Sequence, residues 1–192
     1  MLNVSKLLVG LMACTVLSAC TPLVGGTAAT SAWISNDPRT TGTVIDDVAI
    51  EAKIADAMDD YEYLNLDANS NIHVTSYNNV VLLTGQVPSE AAKLAVGEIA
   101  KNTNQVRKVY NELKVGPVTS LTTRSHDSWI TTKIKSSSAF HEVNPINTKV
   151  ITENGVVYLL GLISRDQADK LTELVRTTRG VDRVVRIFEY TD

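Results

Sequence analysis

Val150-Ile151-Thr152-Glu153-Asn154-Gly155-Val156-Val157-Tyr158-Leu159-Leu160-Gly161 is the stretch that decides the fold. Apolar residues run up to Asn154-Gly155 and resume beyond it, and Asn-Gly between such runs is the strongest short signal for a two-residue hairpin turn. The stretch from Val74 to Gly85 repeats the pattern 76 positions earlier, with Asn78-Asn79 at the turn. Asparagine tolerates the positive φ that such a turn needs.

The repeat extends outward in both directions. Ile50, Lys53 and Ile54 recur 80 positions later as Ile130, Lys133 and Ile134. Near the ends, Val96, Ile99, Val106 and Val109 recur 75 positions later as Leu171, Leu174, Val181 and Val184. The offset changes only between elements, where surface loops absorb insertions. Two copies of one small module point away from a single catalytic pocket.

Each copy reads as helix, strand, strand, helix, strand. In the first, helical spacing of Ile50, Ile54 and Ala57 predicts a helix over Asp46–Met58 with Asp46 or Asp47 as cap. Strands follow at Ile72–Val74 and Val80–Leu83, then a helix opened by Pro88-Ser89-Glu90, then a strand over Val106–Val115. In the second, a helix is expected from Asp127 to Ala139, strands at 148–153 and 156–161, a helix from Ser164 to Thr178 and a strand over Val181–Tyr190. The fold class is α+β: two tandem domains, each a three-stranded sheet packed by two helices. The expected boundaries are 1–19 signal peptide, 20–44 flexible tether, 45–115 first domain, 116–126 linker and 127–192 second domain.

The N-terminus carries an address. Lys6 supplies a positive start, Leu7 to Leu17 an apolar run too short for a permanent span, and Leu17-Ser18-Ala19 places small residues before Cys20. This segment resembles a bacterial lipoprotein signal, which implies cleavage before Cys20 and acylation of that residue. Thr21, where an Asp would suggest inner-membrane retention, points to a lipid-anchored protein on the periplasmic face of the outer membrane. With Cys14 in the discarded segment and Cys20 lipidated, no thiol is left for a disulfide, a metal or a nucleophile. Modules of this size sit near the lower limit for an independent core, which makes docking of one on the other plausible, and the sequence does not fix whether they dock.

The pattern Val-x-Leu-x-Gly before a helix, with Gly180-Val181 and Val184 after it, resembles the BON domain. Two such domains behind a lipobox and a tether containing Asp37-Pro38-Arg39 resemble the dual-BON outer-membrane lipoproteins. The first copy has Asn104-Gln105 where a glycine is usual, which leaves its tight turn open. The resemblance implies phospholipid binding, with the second domain recognising anionic phospholipid such as phosphatidylglycerol. It also implies roles in envelope integrity and at division sites.

No enzyme is legible in the residues. His73, His126 and His141 stand in no metal-ligand spacing, and no phosphate loop, nucleophile elbow or H-E-x-x-H run occurs. His73 is expected on the solvent side of its strand. No catalytic residue, metal, cofactor or small-molecule substrate is therefore expected. The net charge of −3 argues against nucleic-acid binding. Residues 43–115 carry 11 acidic and 6 basic side chains, net −5, while 127–192 carry 9 of each.

The first helix of the second copy holds the candidate site. Ile130 and Ile134 make the core stripe, while Trp129, Lys133, Ser136 and Phe140 form a second stripe at i, i+4, i+7 and i+11, with Lys135 beside it. The counterparts in the first copy are Ala49, Lys53, Asp56 and Asp60, without rings and with two acids. Rings at headgroup depth with ammonium groups at the phosphates suit an anionic phospholipid membrane. The alternative for Trp129 is packing on the first domain or on the linker near Leu121. An alternative function is an interaction module for an envelope protein, such as the outer-membrane assembly or division machinery, using Asp56, Asp59 and Asp60.

Overall fold

Both asparagine turns adopt the backbone their residues favour: Asn78, Asn79, Asn154 and Gly155 all have positive φ. The computed structural model describes residues 37–59, 70–137, 140, 142–143 and 147–192. The signal segment, Cys20, Trp33, Ile34, Asp60, Ala139 and His141 lie outside them.

The first domain comprises α1 (Thr41–Asp59), β1 (Asn71–Tyr77), β2 (Val80–Val87), α2 (Glu90–Asn102), β3 (Lys108–Asn111) and β4 (Lys114–Val115). The second comprises α3 (Leu121–Lys135), β5 (Thr148–Glu153), β6 (Val156–Ile163), α4 (Arg165–Arg176) and β7 (Arg183–Tyr190). The middle strand of each sheet, β2 or β6, pairs antiparallel with the strand before it. Beyond the intervening helix the chain returns parallel to it, as β3 and β4 on β2 and as β7 on β6. Ser89 and Ser164 cap α2 and α4 by accepting backbone N–H bonds, and Gln167 completes a capping box in α4.

The strand β2 is buried along its whole length. Val81, Leu83 and Val87 meet Ile50, Ile54 and Val96 of α1 and α2 in the first core. The opposite face, Val80 and Leu82 with Tyr77, shares a third apolar cluster with Val156, Tyr158, Leu160 and Ile187 of the second domain. A strand covered on both faces needs no polar alternation, which explains the continuous run in the sequence. The domains therefore dock through the sheet faces turned away from their helices. Polar contacts seal the junction: Gln86 Nε2 donates to Glu153 Oε1 (2.6 Å), Tyr77 donates to the Asn147 carbonyl (2.9 Å), and Arg107 pairs with Glu189 (2.7 Å).

Burial at this junction pushes the hydroxyls of Tyr77 and Tyr158 up to about 12, the Glu112 charge adding to the effect at Tyr158. A raised folded-state value means that the unfolded chain ionises first. The stabilisation is complete below pH 10 and is lost as pH rises from about 10 to about 12. We expect an alkaline titration followed by phenolate absorbance to show two tyrosines ionising late, together with loss of the folded signal. Release of both protons near pH 10, with the fold intact, would remove these tyrosines from the junction.

Several boundaries differ from those the sequence suggests. Helix α1 begins at Thr41 rather than Asp46, with the Thr40 hydroxyl accepting from the Thr43 N–H (3.1 Å). Asp47 is no cap: it is 2% exposed and belongs to the second turn of α1. Asp37 and Arg39, expected in a flexible tether, pair with each other at 2.7 Å, and the Arg39 guanidinium lies 4.0 Å over the Tyr77 ring. The strand expected over Val106–Val115 is broken into β3 and β4. Both pieces keep the same register on β2, while buried Leu113 interrupts them and the Asn111 side chain donates to the Lys93 carbonyl of α2. Gln105, at the position of Gly180, adopts the same positive φ, so the turn survives without its glycine.

Candidate functional site

The buried stripe of α3 is Asp127, Ile130 and Ile134, each 80 positions after Asp47, Ile50 and Ile54 in α1. The isoleucines sit in the domain cores. The aspartates clasp the hairpins: Asp127 accepts from the backbone N–H groups of Asn154 (2.7 Å) and Gly155 (2.9 Å). Asp47 accepts from those of Asn78 and Asn79 (both 2.8 Å), from the Ser76 hydroxyl (2.6 Å) and from Arg39 (2.7 Å). In both modules the turn thus fixes the rotation of the first helix about its axis, and with it the face presented to solvent. The repeat of Asp47 at Asp127 was the sequence signal for this clasp.

With the clasped face inward, Trp129 points out and is 48% exposed. Its indole stacks on the His126 ring at 5.8 Å, and Lys133 Nζ lies 5.0 Å over it. The His126 ring lies over Gly180, where an added methyl would touch it at 3.0 Å. Lys133, Lys135 and Ser136 are exposed. Ser128, Thr132 and Ser136 donate their hydroxyls to helix carbonyls, which leaves their carbon atoms outward between the charges.

Phe140 does not join this face. It is 3% exposed and packs with Ile130, Ile134 and Val143 in the second core. The stripe requires a helix running to Ala139, but α3 ends at Lys135, and the chain beyond turns the phenyl ring inward. The helix instead extends the other way. Ser120 caps it by accepting from the Thr123 N–H (3.1 Å), so Leu121, assigned to the linker, stands 74% exposed two turns before Trp129. Ser120 was the legible signal for that start.

Helix α1 lacks the indole and carries Ala49, Lys53 and Asp56 at the matching positions. Of its own exposed apolar residues, Ile45 lies one turn before Ala49 on the same stripe and Val48 beside it, so α1 presents aliphatic side chains there and no ring. His73 is exposed, as its strand parity predicts. Among the described residues no cluster of metal-ligating side chains forms, and no helix is long and apolar enough to cross a membrane.

Two sheets joined back to back, each with its first helix outward, define a tandem module of a repeat type. The BON domain matches residues 46–117 and 126–192, and the chain belongs to that non-enzymatic family. It is 39% identical over 188 residues to the outer membrane lipoprotein DolP of Haemophilus influenzae, covering 97% of this chain and 96% of that one. It is 40% identical over 155 residues to a 21 kDa hemolysin of Actinobacillus pleuropneumoniae, covering 80% and 79% of the two chains. The osmotically-inducible protein Y of Escherichia coli K12 is 27% identical over 202 residues, 95% and 94% of the two.

Proposed function

We propose that this chain is anchored through Cys20 to the periplasmic face of the outer membrane and that its second BON domain binds anionic phospholipid through the outer face of α3. Trp129, Lys133, Lys135 and Ser136 make the contact, and Leu121 extends it. The observation that carries this reading is the half-exposed indole of Trp129, held outward with an ammonium group over its ring. Indole prefers the headgroup layer, and each lysine near an anionic surface contributes about 1 kcal/mol. That is weak alone, but acyl tethering raises the effective lipid concentration, so weak contact is sufficient. The relative named an outer membrane lipoprotein supports the location, and in this reading lipid binding there serves envelope integrity and division-site localisation.

The test is flotation of the chain from residue 20 onward, carrying Cys20→Ser, with vesicles rich in phosphatidylglycerol. Wild-type protein is expected to float and to stay down with phosphatidylcholine. Trp129→Glu is expected to abolish flotation while leaving the thermal transition in place, because the indole contributes little to the core. Equal flotation of both proteins would remove α3 from lipid binding.

A further inference from the structure

A groove of about 790 Å³ lies between α1 and α3, with Ala55 and Met58 on one wall, Arg124 and Lys135 on the other, and residues 72–75 of β1 and 150–153 of β5 along its floor. Both strands are the edges of their sheets. The direction of the backbone groups of β1 is fixed by Ser76. Its N–H donates to Glu51 Oε1 (2.7 Å) and its carbonyl accepts from Lys149 Nζ (2.9 Å), so both point away from β2. Peptide groups of an antiparallel strand alternate sides, so those of Val74 and Ile72 also face the groove. Among the described residues nothing bonds them. The side chains on Ser76 act there as stand-ins for a neighbouring strand, a carboxylate for its carbonyl and an ammonium for its N–H. The corresponding residues of β5, Thr148 and Val150, are buried, which leaves β1 as the open edge.

The charges select the occupant. Every acid lining the groove is engaged: Glu51 with Ser76 and Lys149, Glu153 with Gln86, and Asp127 with its turn. Arg124 and Lys135 are exposed and form no ion pair among the described residues. We propose that the β1 edge docks an extended polypeptide segment of a partner protein, which adds as a strand beside Ile72–Val74 and sets acidic side chains toward Arg124 and Lys135. Main-chain bonds to the edge give affinity, and the cations choose the sequence. The β1 edge lies apart from the outer face of Trp129, and Lys135, on the groove wall, is the residue that this docking shares with the lipid contact.

The probe is a blocked seven-residue peptide alternating glutamate and valine, titrated into the same Cys20→Ser protein and followed by amide NMR. Shifts centred on Ile72 and Val74 are expected, with a Kd below about 1 mM. N-methylation of alternate peptide nitrogens should abolish them, and exchanging glutamate for lysine, or Arg124→Glu in the protein, should weaken binding by roughly tenfold or more. Val74→Pro, tolerated where the N–H leaves the ladder, should lose the peptide and keep the fold. If that variant fails to fold, the methylated peptide decides. Absence of β1 shifts, equal binding of the methylated peptide, or shifts confined to Trp129 and its neighbours would overturn the proposal. So would β1 shifts that grow with protein concentration alone, which would assign the edge to a second copy of the chain.

Discussion

Asp47→Ala is expected to lower the stability of the protein by about 3–5 kcal/mol, the cost of removing one partner from a buried, charged network. The variant leaves the backbone N–H groups of Asn78 and Asn79 and the Ser76 hydroxyl without their acceptor, and takes from the Arg39 guanidinium one of its two carboxylate partners, Asp37 remaining. Arg39 is nearly buried, so water does not replace what it loses. Asp127→Ala removes the same clasp from the second domain, but only two N–H groups are orphaned there, and a smaller loss of about 2–3 kcal/mol is expected. Urea unfolding of both variants checks the order. A natural domain has only about 5–15 kcal/mol to lose, so the first variant stands near its threshold. Equal losses would show that Arg39 and Ser76 add nothing to the clasp, and losses below about 1 kcal/mol in both would dismiss the clasp altogether.

Leu82→Asp is expected to separate the two domains. Leu82 is fully buried in the shared cluster with Tyr158 and Leu160, and an ionised carboxylate there has no partner. Its desolvation costs several kcal/mol unless the junction opens to water, and opening is the cheaper response. Each domain then relies on its own small core, which at this size is marginal. The expected result is replacement of one cooperative thermal transition by two at lower temperature. The ionisation of Tyr158 should fall back from about 12 as its ring meets solvent. A single transition at the original temperature would mean that the junction contributes nothing to stability. An unchanged tyrosine titration would mean that the junction had not opened. The variant also tests whether α3 reads lipid alone, since its face lies away from the shared cluster.

The element order, the hairpin turns, the core isoleucines and the starts of α2 and α4 were all legible, because each depends on residues close together in sequence. Asn154-Gly155 sets its turn through its own φ preferences, and Ser164 with Gln167 closes its cap within one helical turn. The start of α3 was less visible. Thr122, Thr123 and Ser125 are poor helix formers, so local preference reads 116–126 as a linker, and only the Ser120 cap marks the helix start that packing supports. Phe140 was misplaced because helical spacing was carried past the point where the helix ends. That spacing is valid from Trp129 to Ser136 and fails one turn later. Leu121 was missed for the complementary reason, being counted in a linker that is helical.

The sequence by itself determined that one scaffold is used twice, that each copy is a hairpin flanked by helices, and that the second copy alone carries an indole with cations on its leading helix. These are matters of local preference and internal repetition, which need no knowledge of distant contacts. Only the tertiary structure decided that β2 and β6 share a core, that Asp47 and Asp127 lock helix to turn, and that, among the described residues, the β1 edge stands beside two cations without an ion pair. Those features join residues tens of positions apart, from 27 between Asp127 and Asn154 to 111 between Asn78 and Glu189. Burial and hydrogen bonding at such distances depend on how whole elements pack, and no local pattern records that.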